Sequence, residues 1–279
     1  MAGRKKKVKN LRPTLDIAQS TGIRNAASTL LANIDFSSVD KPIQSICITS
    51  ATPNEGKTTT ALSLAAAIGQ SGRTCLLIEG DMRRRSLRAA LNVHPAAGLH
   101  AVLTGASTID NAVVGTSLMN VYFLDAEPGI PNPEAIISSK HFKAMLEQLC
   151  RTFNFVIFDT PPVAAFADAV VLSRLVDGTI LVLREGQTKR QDALLATEQM
   201  QSVGANLLGI VLNGVKAGSG GGYDYYYGYY YEEKTVPEGS PEAVEALKTA
   251  AKYTSGSAKK KPASKSPISA VKKGRHGKE

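Results

Sequence analysis
Soft metal ligands are scarce in this sequence: its 279 residues hold three cysteines and four scattered histidines. Cys47, Cys75 and Cys150 form neither a Cys-x-x-Cys pair nor a zinc spacing, so they read as reduced packing residues. Long apolar runs are also missing. No stretch nears the length of about 20 residues needed to span a bilayer, and no signal-peptide core follows the N-terminal charges, so a cytoplasmic protein is expected. Acids are absent from residues 1–12, which carry Arg4, Lys5, Lys6, Lys7, Lys9 and Arg12. Residues 252–279 hold nine Lys or Arg against Glu279 alone. The two ends sum to +14 in a chain of net charge +9, which leaves the body at −5. A mildly acidic domain with two basic arms differs from a uniformly basic nucleic-acid binder, and no regular pattern of aromatics runs through the arms; nucleic acid is not an expected partner. The arms fit solubilising segments and attraction to an anionic membrane surface equally well.

Tyrosine, by contrast, is concentrated. Seven of the nine tyrosines are Tyr223, Tyr225, Tyr226, Tyr227, Tyr229, Tyr230 and Tyr231, preceded by the glycine-rich stretch 217–222. Phenols tethered in this way are expected to stay exposed and to serve as phosphate acceptors.

The means to phosphorylate them begins at Ile43. An apolar strand over Ile43–Thr49 runs into Ser-Ala-Thr-Pro-Asn-Glu-Gly-Lys-Thr, and an apolar helix follows over Ala61–Ile68. Gly56, Lys57 and Thr58 match the G-x-x-x-x-G-K-[ST] spacing, with Ala51 in the first glycine position. Strand, loop and helix occur in the order that lets backbone N–H groups and a helix N-terminus surround a phosphate. Lys57 is expected on the β- and γ-phosphates of ATP, and the Thr58 hydroxyl in the shell of a Mg²⁺ ion.

Further short apolar strands are expected at 73–78, 121–125, 155–158, 178–183 and 207–212. Helices are expected at 25–34, 86–92, 134–151, 167–175 and 188–203, with a loop centred on Gly98. Such alternation implies an α/β P-loop NTPase with a doubly wound, mostly parallel sheet flanked by helices. Ligands in such sheets lie beyond the carboxyl ends of the strands. Two of those ends deliver carboxylates: Glu79 and Asp81 after one strand, Asp159 after another. Magnesium needs few protein oxygens, so Asp159 is the natural metal acid. Glu79 and Asp81 are placed to contact metal-bound water or an incoming hydroxyl, or else to cap their strand. The expected organisation is a basic arm at 1–24, a kinase domain at 25–216, a Gly/Tyr-rich tail at 217–233 and a basic extension at 234–279.

Together these features resemble the bacterial tyrosine kinases of the CpsD/CapB type. The resemblance covers about 25–231. It rests on the phosphate loop, the stretch ending Asp81-Met-Arg83, Gly129 to Glu134, Asp159-Thr-Pro-Pro162, Val211-Leu-Asn213 and the tyrosine cluster. It implies an ATP- and Mg²⁺-dependent kinase that phosphorylates its own tail, usually in a neighbouring molecule, and regulates capsular or exopolysaccharide synthesis and export. It further implies a membrane-embedded co-polymerase as activator, a cognate tyrosine phosphatase, and a place at the inner face of the membrane through the partner. By resemblance, Asp81 and Asp159 organise metal, Asn213 meets adenine, and the loop backbone of Pro53, Asn54, Glu55, Gly56, Lys57, Thr58 and Thr59 completes the nucleotide site. Glu79 stands where the family usually has aspartate and is implied to help deprotonate the tyrosine. The family's ring-forming E-x-x-R-x-x-R helix falls on Asn25, Ser28 and Leu31, none of them charged, so a monomeric or weakly associated protein is expected.

Two other functions fit part of the pattern. A MinD- or ParA-like ATPase shares the fold, but such proteins carry a lysine five residues before the loop lysine, where this chain has Thr52. An ATP-binding regulator without catalysis is the other; phosphotyrosine formation separates it from a kinase.

Overall fold
The computed structural model describes residues 20–38, 41–127, 129–130 and 132–215, all within one compact unit; the tyrosine cluster and both basic arms lie outside the described residues. Four strands are short, mostly apolar runs buried along their length: β1 (Ser45–Ser50), β2 (Cys75–Glu79), β5 (Phe155–Asp159) and most of β6 (Gly178–Arg184). Strands buried on both faces favour parallel pairing beneath two helical layers. With β3 (Val113–Gly115), β4 (Val121–Leu124) and β7 (Leu207–Asn213), they form a seven-stranded sheet in the order β3-β4-β2-β5-β1-β6-β7. Among the described strands only β3, paired with β4, runs antiparallel.

Alternate side chains feed two cores. Ile46, Ile48, Leu77 and Ile157 face α1 (Thr21–Phe36) and α2 (Lys57–Gln70). Cys47, Leu76, Ile78 and Phe158 face Phe142, Met145 and Leu149 of α7 (Lys140–Thr152), with Ala196 and Met200 of α9 (Arg190–Ser202) beyond. Helix α2 is buried continuously from Ala61 to Gly69, as a helix held between α1 and the sheet must be. Cys47 and Cys75 are wholly buried, and desolvation raises both thiols, Cys47 to about 12, which makes them unreactive packing groups.

Several expected boundaries need correction. Helix α1 begins at Thr21 rather than residue 25, because the Ser20 side chain accepts from Ile23 N. Leu31, one of the supposed ring positions, is buried against the core, whereas Ser28 is exposed. The helix expected over 134–151 is two helices, α6 (Pro133–Ile137) and α7, since Ser139 stops the chain and caps α7 by accepting from Phe142 N at 3.1 Å. The loop expected around Gly98 contains α4 (Leu99–Leu103) and α5 (Ile109–Ala112). Helix α3 (Leu87–Leu91) and α8 (Asp168–Ser173) lie inside their expected ranges.

The sheet's amino edge is stitched by side chains. Asp177, just ahead of β6, accepts from Gln44 N at 3.2 Å, Ser45 N at 2.9 Å and Ser45 Oγ at 2.7 Å, while Lys41 Nζ lies 2.5 Å from its other oxygen. Asn154 accepts from both the N–H and the hydroxyl of Thr74, at 2.8 and 3.0 Å.

Candidate active site
The opposite edge is built for binding. After β1 the chain turns through 51–56 into α2, with Asn54 at φ 67° and Gly56 at φ 98°. Gly56 is required twice, since its left-handed backbone strains any side chain and a Cβ there would lie 1.9 Å from Asn213 Nδ2. Ala51, in the motif's first glycine position, is buried and does not take a positive φ, which explains why alanine serves. The α2 N-terminus has no side-chain cap. Its leading N–H groups and the positive end of its dipole are therefore free for an anion.

Glu55 is fully buried and acts inside the loop: its carboxylate accepts from Thr52 N at 2.8 Å, from the Thr52 hydroxyl at 2.9 Å and from the Thr188 hydroxyl. Asn213, at the end of β7, donates to Glu55 O at 2.9 Å. Thr58 Oγ1 lies 3.1 Å from Ser86 Oγ.

Carboxylates meet beside this loop because of the register. Glu79 and Asp159 are direct partners across β2 and β5, and Asp159 also pairs with Ile48 of β1. Gly80 lets the strand ends approach: its N–H donates to Asp159 O at 2.8 Å, and a Cβ would sit 2.9 Å from that same oxygen. Asp159 is wholly buried, yet neither carboxylate oxygen has a hydrogen-bond partner among the described residues. Burial raises its pKa to about 6, opposed chiefly by the charge of Lys57 and by the Thr58 hydroxyl. A buried carboxylate with bare oxygens beside a hydroxyl supplies the few oxygen donors a magnesium ion needs from protein, with water and phosphate filling the remainder, while the neighbouring Lys57 ammonium suits the phosphate rather than the metal.

Glu79 is employed differently. One oxygen accepts from Ser86 N at 2.7 Å and Leu87 N at 2.9 Å, which caps α3, and the other accepts from Asp81 N at 3.3 Å. Its pKa stands well above the ordinary value because of burial and the charge of Asp159. Asp81 holds the following turn, accepting from Arg83 N at 3.2 Å and Arg84 N at 2.8 Å. Arg83 pairs with Asp168 and with Glu134 at 3.3 Å, and its guanidinium lies 4.1 Å from the Phe166 ring centroid.

All loop residues from Pro53 to Thr59, together with Glu79, Asp81, Asp159 and Asn213, thus gather at one sheet edge. Sequence reasoning missed Ser86, Arg184, Gln187 and Thr188. Ser86 sat in a short helical run without a motif, Thr188 at what looked only like a helix start, and Arg184 and Gln187 in the short connection between the expected strand 178–183 and that helix.

A phosphate loop at the carboxyl edge of such a sheet defines a nucleotide-binding P-loop protein. The AAA domain family matches residues 43–184. The tyrosine-protein kinase YwqD of Bacillus subtilis is 38% identical over 198 residues, covering 71% of this chain and 84% of that one. The tyrosine-protein kinase CpsD of Streptococcus pneumoniae is 34% identical over 207 residues, covering 72% and 90%. The kinase domain of the Escherichia coli tyrosine kinase ETK superposes with a TM-score of 0.69 at 27% identity, covering 79% of this chain and 88% of that chain. The chain belongs to the bacterial tyrosine-protein kinases of the CpsD/CapB type and is a protein-tyrosine kinase.

Proposed function
We propose that this kinase transfers the γ-phosphoryl group of ATP to the tyrosines between Tyr223 and Tyr231, largely on a neighbouring copy, and so regulates capsular or exopolysaccharide synthesis and export. The observation that carries the site assignment is the bare, buried carboxylate of Asp159 beside Lys57 and Thr58. Lys57 and the loop N–H groups bind and orient the phosphates; Asp159 and Thr58 hold magnesium, with Asp81 beside them. When bound, that ion neutralises the charge of the phosphoryl oxygens. Asn213 is positioned near the loop to meet the base. Glu79 accepts the phenolic proton or fixes the turn carrying Asp81 and Ser86; Glu79→Asp and Glu79→Gln variants separate these roles.

An activating, membrane-embedded co-polymerase would raise the local concentration of tails and hold the kinase at the inner face of the membrane, while a tyrosine phosphatase would reset it. Among the described residues no helix is long and apolar enough to cross a membrane. Self-association is transient on this reading, since Asn25, Ser28 and Leu31 offer no charged contacts; a stable octamer by light scattering, without partner or nucleotide, would contradict it. Each added phosphate brings about −1.5 to −2 charges, so a modified cluster disfavours the assembly that produced it.

The direct test mixes a Lys57→Met acceptor with a donor lacking residues 223–231, in Mg-ATP. Phosphotyrosine on the acceptor is expected. Its absence, with a donor that still turns over ATP, would exclude transfer between molecules.

A further inference from the structure
Phosphate loops bind through backbone N–H groups, so their peptide planes must be held in one orientation. Here three consecutive loop carbonyls are each occupied by a side-chain donor from outside the loop. Gln187 Nε2 donates to Pro53 O at 3.1 Å, Arg184 Nη1 to Asn54 O at 3.2 Å, and Asn213 Nδ2 to Glu55 O at 2.9 Å. In a trans peptide, a carbonyl and the following N–H point in opposite directions. No cis bond occurs among the described residues. Turning the carbonyls of 53–55 toward these donors therefore turns the N–H groups of Asn54, Glu55 and Gly56 away from them. The left-handed residues Asn54 and Gly56, at alternate positions, curve the backbone between.

The bracing turn is itself closed. Arg184 N donates to the Thr188 hydroxyl at 2.8 Å, Thr188 N to Arg184 O at 2.9 Å, and Glu185 N to Asn213 O at 2.9 Å. The Thr188 hydroxyl in turn donates to the buried Glu55 carboxylate. The turn between β6 and α9 thus meets the loop as a connected unit, although Arg184 and Gln187 are exposed and contribute little to the core.

We propose that Arg184 and Gln187 are positioning residues for the nucleotide: by fixing the carbonyls of Asn54 and Pro53, they aim the loop N–H groups at the phosphates of ATP. The proposal rests on the ATP-site reading above. A purely structural role predicts a change in thermal stability without a particular effect on nucleotide. A positioning role predicts the reverse.

The test uses the full chain and measures equilibrium affinity for Mg-ATP, the split between KM for ATP and kcat, and the thermal midpoint without nucleotide. Single Gln187→Leu and Arg184→Met changes are expected to weaken Mg-ATP binding about 3-fold each, and the double variant about 10-fold, the scale of one or two lost hydrogen bonds. KM should rise more than kcat falls, with the midpoint unchanged. Arg184→Lys, which keeps a donor, should recover part of the loss. A double variant that binds Mg-ATP within a factor of two of the parent overturns the proposal and leaves the ATP site intact. A midpoint that falls in step with affinity also overturns it, by making the role structural. A parent that fails to bind Mg-ATP removes the ATP-site reading and the proposal together.

Discussion

Each end of the sheet carries a buried or half-buried aspartate, and the two are treated in opposite ways. At the amino edge Asp177 is saturated by Gln44, Ser45 and Lys41. Burial alone would raise its pKa, but the hydrogen bonds from Lys41 and Ser45 outweigh this and lower it. At the carboxyl edge Asp159 has no hydrogen-bond partner among the described residues, and its pKa is raised to about 6. A bare buried carboxylate lowers stability, and such groups collect where a ligand will complete them. The contrast separates an aspartate that holds the fold together from one kept ready for chemistry.

The largest effects should come from exchanging the roles these groups play. Lys57→Met and Asp159→Asn are each expected to reduce phosphotyrosine formation about 100- to 1,000-fold, the scale for removing a group that stabilises transferring charge. Asp159→Asn should also raise the stability of the nucleotide-free protein by about 1 kcal/mol, because it removes a buried charge whose desolvation outweighs the attraction of Lys57 and whose oxygens have no hydrogen-bond partner among the described residues. Asp177→Asn should do the opposite: activity preserved, stability lowered by about 1–3 kcal/mol in urea melts. An Asp177 variant that loses activity while remaining folded would erase the distinction.

The pH dependence sharpens the same contrast. The folded pKa of Asp177 lies below its unfolded value. Its contribution is therefore full above the ordinary Asp pKa of about 3.9 and is lost as the pH falls through the lower folded value. The gap in unfolding free energy between parent and Asp177→Asn should be constant from about pH 5 to 7 and shrink only below about pH 4. Asp159 has the opposite sign: with a folded pKa of about 6, its ionisation costs increasing stability from about pH 4 up to about pH 6, then levels off. The advantage of Asp159→Asn over the parent should grow across that range.

Glu79 lies between the two cases, buried at the functional edge but already occupied by N–H groups of Ser86 and Leu87. Glu79→Asp is one methylene short of those donors. It should cost about 1 kcal/mol, the scale of a lost helix cap, while retaining most phosphoryl transfer. Glu79→Gln keeps the length and one acceptor oxygen but loses the charge, and should slow transfer in single-turnover measurements. If Gln matches the parent, the carboxylate is a cap alone.

What was legible in the sequence follows from this division. The phosphate loop could be read because its chemistry is local: Gly56, Lys57 and Thr58 adjoin, and their strand and helix flank them. Asp159 and the central strands could be read because a parallel strand buried on both faces is a short apolar run. The edge strand β3 could not, since Val113–Gly115 is three residues long and only partly buried. Ser139 did carry a readable cap signal, which the apolar periodicity on either side of it obscured. The contacts of Arg184 and Gln187 with the loop span 130 and 134 residues, and no local pattern encodes them.

The smallest expected effects compare one neutral polar side chain at each edge. Asn154 accepts from the N–H and hydroxyl of Thr74 at the amino edge, and Ser86 Oγ lies 3.1 Å from Thr58 Oγ1 at the carboxyl edge. Both are partly exposed or lie near solvent, so each bond is worth little in folding, about 0.5–1.5 kcal/mol. Asn154→Ala leaves a backbone N–H without its partner and should lower stability by about 1 kcal/mol, with kinetics unchanged. Ser86→Ala leaves the backbone cap from Glu79 in place, because that bond uses the Ser86 N–H. Its cost should instead appear in the magnesium dependence of the reaction, where a freed Thr58 hydroxyl shifts the half-saturating concentration about 3-fold, the scale of one weak hydrogen bond. Titrating magnesium at saturating ATP measures that shift. A Ser86→Ala protein with parental magnesium dependence but lowered stability would place Ser86 with Asn154, among the groups that only hold the fold.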